Sequence, residues 1–151
     1  MMNRISLIYQ EGALKSYFPD SQITRTREER LTWIHTITPS PVSSSYKVKL
    51  EYVRNNGIKF YVLEPKLELT RGATALPHVF STPEQRLCLF TASKGEWHVG
   101  MWYVHTIIPW ACEWLYHYEV WVVTGKWNGG GTQPQIEGEK INQANETDSP
   151  A

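Results

Sequence analysis

Tyr46-Lys47-Val48-Lys49-Leu50-Glu51-Tyr52-Val53, followed by Arg54-Asn55-Asn56-Gly57 and Ile58-Lys59-Phe60-Tyr61-Val62-Leu63, is the stretch from which the fold can be read. Its first eight residues alternate apolar with charged side chains at period two, which is the pattern of a strand with one buried and one wet face. Asn55, Asn56 and Gly57 tolerate positive φ, and the β pattern resumes after them, so the two runs predict an antiparallel hairpin. Glu64-Pro65 ends the second strand.

Upstream of the hairpin, Leu31 to Thr38 is rich in β-branched and aromatic residues and stops at Pro39, which predicts a strand followed by a turn through Ser45. The charged run Arg25 to Arg30 reads as a solvated polar loop. Residues 3–17 carry Ile5, Ile8 or Tyr9, and Leu14 at loosely helical spacing, so a first helix is expected there despite Gly12. Downstream, residues 66–87 lack periodicity and contain Gly72, Pro77 and Pro83. They read as a long connection with a short strand or two, the kind of segment that carries function. Thr106 then reads as the N-cap of a long helix, with Pro109 in its first turn and Gly125 as its C-cap. Ile107, Ile108, Ala111, Trp114, Leu115, Tyr118, Trp121 and Val122 form its apolar stripe. The polar residues 132–151 predict a disordered tail. The order is helix, antiparallel strands, irregular segment and a helix across the sheet, an α+β fold in one domain spanning 1–131.

The chain of 151 residues has 15 basic and 15 acidic side chains, so no net charge favours nucleic acid or a membrane surface. No run approaches the roughly 20 apolar residues of a membrane span. Two cysteines without a secretory leader point to a reducing cytoplasm. Tyr116, with Trp102 or Trp127, exceeds what the helix stripe can bury, leaving either a protein interface or a larger core.

The chemistry centres on Cys88, set in Leu87-Cys88-Leu89 at the far end of the irregular segment. In isolation such a cysteine is most simply a core residue, and Cys112, between Trp110 and Trp114 on the helix, reads that way too. His78, Cys88, His98 and His105 show no paired ligand spacing, so no metal site is expected. No Walker-type glycine-lysine motif is present either, and no cofactor is expected. A cysteine hydrolase pairing Cys88 with His78 or His105 stays open, because such pairs are spatial.

The segments Leu76-Pro77-His78-Val79-Phe80, Leu87-Cys88-Leu89, Thr106-Ile107-Ile108-Pro109-Trp110, Glu113-Trp114-Leu115, Tyr118-Glu119-Val120-Trp121 and Thr124-Gly125-Lys126-Trp127-Asn128-Gly129 carry a resemblance. They are similar to a bacterial branch of the ubiquitin-conjugating-enzyme fold, which includes the stand-alone conjugating proteins of CBASS anti-phage operons. The likeness covers about residues 28–131. It implies an N-terminal helix, a four-stranded antiparallel meander and a long helix packed on the sheet. It also implies a thioester on Cys88 with an activated protein C-terminus, that of a cGAS-like nucleotidyltransferase, which is then passed to an amine. The resemblance also leaves an alternative for this chain, a catalytically inert variant of the fold acting as a protein-binding module, as relatives without such a cysteine do. Eukaryotic members carry His-Pro-Asn before the cysteine, the asparagine steadying the oxyanion of aminolysis. Here Leu76-Pro77-His78 puts a histidine in its place. His78 could donate a hydrogen bond to the oxyanion, act as a base, or hold the loop.

Overall fold

The computed structural model describes residues 3–130. In it α1 (Leu7–Tyr17) leads into β1 (Gln22–Thr26), β2 (Arg30–Ile37), β3 (Tyr46–Val53) and β4 (Gly57–Glu64). Then come β5 (Val79–Ser81), β6 (Arg86–Leu87), two short 3-10 turns at Ala92–Lys94 and Tyr103–His105, and α2 (Ile107–Thr124). The strands form one antiparallel sheet in the order β1-β2-β3-β4-β6-β5.

Alternation in β3 works as read. Tyr46, Val48, Leu50 and Tyr52 are buried, while Lys47 is exposed and Lys49, Glu51 and Val53 are only partly covered. Register places Leu50 between Trp33 of β2 and Phe60 of β4, and Val48 beside Val62, so one sheet face becomes continuous core. Both helices complete that core. Leu7 and Leu14 come from α1, and Ile107, Ile108, Ala111, Trp114, Leu115, Tyr118 and Trp121 from α2, which is the predicted stripe apart from Val122. Tyr118 meets Tyr46 edge-on with ring centroids 6.4 Å apart. One residue along, the Glu119 carboxylate accepts from Ser43 Oγ at 2.6 Å, the Ser44 amide at 3.1 Å and Tyr46 Oη at 2.7 Å. That carboxylate fixes the β2–β3 connection to the helix.

Three expectations are corrected. The sheet has six strands and not four, and Arg25–Arg30 is no plain loop: Arg25 and Thr26 end β1, Arg30 begins β2, and the Glu29 amide closes the turn on the Thr26 carbonyl at 3.0 Å. β1 lies at the sheet edge, where backbone pairing to β2 suffices and polar side chains face water. No apolar alternation is needed, so none signalled it. α1 begins at Leu7, because Asn3–Ser6 is not helical and the Ile5 amide donates to the Val99 carbonyl at 3.0 Å. Its N-terminus is capped from afar. The Leu7 and Ile8 amides donate to the two carboxylate oxygens of Glu28 at 2.7 and 3.2 Å, which also sets a negative charge at the positive end of the helix.

The irregular connection is pinned by one buried side chain. Gln85, at φ 57°, accepts the Leu67 amide at 2.6 Å and donates to the Thr82 carbonyl at 2.7 Å, while its own carbonyl receives the Val62 amide at 3.0 Å. This delivers β5 and β6 to the edge of β4, and Cys88 directly follows β6. The proposed boundary at 131 and the tail lie outside the described residues. Among those residues no helix is long and apolar enough to cross a membrane.

Candidate active site

Cys88 is half-buried, and its amide donates to the His78 carbonyl at 3.1 Å, continuing the β5–β6 pairing by one residue. His78 is buried at φ 47°, a left-handed conformation that histidine adopts more readily than most side chains. Its carbonyl also receives the Trp114 indole N–H at 3.0 Å. Its ring stacks on Trp127, centroids 5.2 Å apart and planes 25° off parallel.

The two residues share the wall of a cavity of about 410 Å³. α2 contributes Trp110, Glu113, Trp114 and His117 to it, the segment after Cys88 contributes Phe90, Lys94 and Glu96, and Trp127, Gly129 and Gly130 close it after the helix. Trp127 also lies 5.4 Å from Trp114 and 5.9 Å from His117, so three aromatic partners hold it. The thiol donates to the Phe90 carbonyl at 3.5 Å. Burial pushes the Cys88 thiol above its ordinary value; the hydrogen bond to the Phe90 backbone opposes this only in part, and Glu96 raises and Arg86 lowers it by lesser amounts. A neutral, protonated thiol follows at physiological pH.

The other candidates lie elsewhere. Cys112 is half-buried against the core and outside this cavity, its thiol also raised by burial. His105 is exposed and packs edge-on against Tyr17 at 5.6 Å, so it does not meet Cys88. Among the described residues no cluster of side chains could hold a metal ion. Of the three aromatics left over from the helix stripe, Tyr116 at 49% and Trp102 at 39% are exposed, whereas Trp127 is half-buried at the cavity.

Glu96, Glu113, His117 and Trp127 went unread as parts of the site. Trp110, Glu113 and His117 stand at helical spacing on α2, and that spacing was the available signal. Reading the polar margin of the stripe, and not only its apolar centre, would have put Trp110, Glu113 and His117 on one helix face, though not beside Cys88.

A model of the type II CBASS E2 protein family matches residues 10–134, a span that contains every residue lining the cavity. The chain belongs to this family. Membership gives it a conjugating-like role in CBASS antiviral defence and protein partners within the CBASS operon. No curated protein matches the chain.

Proposed function

We propose that this family member is a cysteine transferase with a fold of the ubiquitin-conjugating type. Cys88 Sγ attacks the activated C-terminal carbonyl of a protein, a bond forms from sulfur to the carbonyl carbon, and the activating group leaves as the thiol proton passes to it or to solvent. An amine then attacks the same carbon, the carbon–sulfur bond breaks, and the ammonium proton returns to the thiolate. The product is an isopeptide conjugate. The protein C-terminus taken up is that of a cGAS-like nucleotidyltransferase encoded in the operon, and the reaction takes place in the cytoplasm.

The observation that carries this reading is that Cys88 lines a cavity large enough for an extended chain end, while Cys112 stands outside it. Its raised pKa fits the role. A thiol of higher pKa is a poorer leaving group, so its thioester resists water until an amine is placed against it. The shift also carries no sign of the imidazolium-lowered thiolate that a cysteine hydrolase uses. His78, sharing the cavity wall, steadies the tetrahedral oxyanion by hydrogen bonding.

Incubating the protein with a C-terminally activated peptide, followed by mass spectrometry of the intact chain, tests the proposal. The expected result is an adduct on Cys88 that is released by hydroxylamine and transferred to an added amine. Steady release of free peptide to water, with no transfer to amine, would replace the transferase with a hydrolase.

A further inference from the structure

The segment after α2 forms part of the wall of the cavity that Cys88 lines. Gly125 at φ 77° ends the helix, its amide donating to the Trp121 carbonyl at 2.7 Å, and the chain turns back so that Trp127 reaches the cavity. Trp127 Nε1 donates to the Gly130 carbonyl at 3.3 Å, closing a small loop on its own ring. Gly129 rests against that ring. A Cβ at this position would lie 2.7 Å from Trp127 Cζ2 and 2.8 Å from Cε2, inside contact distance. The ring has little room to yield, because His78, Trp114 and His117 flank it. Gly129 and Gly130 are exposed while Cys88 is half-buried, so the strap forms the outer wall of the cavity.

What holds this wall is a side chain and not a ladder. Among the described residues, Asn128–Gly130 makes no backbone-to-backbone hydrogen bond to the sheet or to α2. Segments attached through a single side chain, with exposed backbone, open at the low end of a protein's free-energy range. Undocking Trp127 would remove the wall without disturbing a strand or a helical turn.

We propose that the Trp127–Gly130 strap is an autoinhibitory gate: docked, it narrows the approach to Cys88, and a chain end large enough to need the outer part of the cavity gains the thiol only when Trp127 swings out. The inference takes Cys88 as the reacting thiol, but its test reads access alone and needs no thioester chemistry.

The full chain carrying Cys112→Ala leaves Cys88 as the one reporting thiol. Its alkylation is followed with iodoacetamide and with a bulky iodoacetamide-linked dye across a pH series, and the limiting thiolate rate is taken so that a change in pKa does not pass for a change in access. Trp127→Ala and Gly129→Ala are compared with the parent in preparations that keep its cooperative melt. A gate whose open form is a minor state of a few per cent predicts that either substitution raises the limiting rate for the bulky dye about tenfold or more. Iodoacetamide should gain much less, and Trp127→Phe should stay near the parent. If Trp127→Ala loses the cooperative melt, Gly129→Ala decides the question. Limiting dye rates unchanged or lowered in the substituted chains would overturn the gate, whether or not the protein conjugates.

Discussion

The Trp114 indole N–H donates to the carbonyl oxygen of His78 at 3.0 Å, and that same oxygen receives the Cys88 amide at 3.1 Å. The long helix is thereby tied to the backbone on which the thiol hangs. Trp114→Phe removes one donor and some buried volume while leaving the other bond in place. It should lower stability by about 1–2 kcal/mol in denaturant unfolding, and a midpoint equal to the parent's would show that the bond contributes nothing.

Cys88→Ala should abolish transfer to amines while the melting temperature stays within a few degrees, since removing one half-buried sulfur costs about 1–2 kcal/mol. Cys112→Ala should transfer as the parent does. The opposite pattern at matched stability would move the reacting thiol to the helix.

For His78, loading and discharge of the thioester separate the roles. An oxyanion donor predicts that His78→Ala still loads but discharges to amine roughly 10² to 10³ times more slowly, so the thioester accumulates. The left-handed φ of 47° makes His78→Asn the informative companion, because asparagine tolerates that backbone and can donate through its amide. Single-turnover rates for both variants decide it. Equal losses in loading and discharge would sink the oxyanion assignment.

The pH dependence has a definite sign. Burial penalises the Cys88 thiolate, so the thiolate fraction at neutral pH is below that of a free cysteine. In the Cys112→Ala background, alkylation should therefore climb about tenfold per pH unit through the neutral range and level off only above the pH at which a free thiol does. An inflection on the acid side of the free thiol would mean that a positive partner reaches the sulfur.

Trp121 is 6% exposed at the C-terminal end of the stripe that α2 turns to the core. Its replacement by alanine should cost roughly 3–5 kcal/mol, enough to unfold a domain of ordinary stability. A Trp121→Ala protein with a near-parental melt would contradict this packing.

The legible parts of this chain were those in which one face of an element meets the core. Tyr46 to Val53 could be read because every second side chain is buried, and α2 because its stripe runs from Ile107 to Trp121. β1 was not, since an edge strand of Gln22, Thr24, Arg25 and Thr26 is held by main-chain pairing that leaves no mark in side-chain pattern. Glu28 escaped for a similar reason: it caps a helix some twenty positions upstream, outside the few residues within which capping motifs are recognised. At the site, Cys88 and His78 stood out as a local pair along one segment. Glu113, His117 and Trp127 join them only through the crossing of α2 and the reversal at Gly125, a matter of tertiary geometry.

The Glu28 carboxylate has one more consequence, for how the protein opens. α1 has Gly12 in its interior, and Ser6 at its N-cap makes no side-chain bond, so its first turn depends on a carboxylate borrowed from the β1–β2 hairpin. Arg25, from the same hairpin, grips Glu11 on the helix at 3.0 Å. Neither element can fray alone without stranding the other's partner. The amides of Leu7 and Ile8 should therefore exchange with deuterium only as fast as the hairpin lets go, making the amino-terminal helix and the sheet edge a single unit of local unfolding, separate in energy from the strap at the far end of the chain.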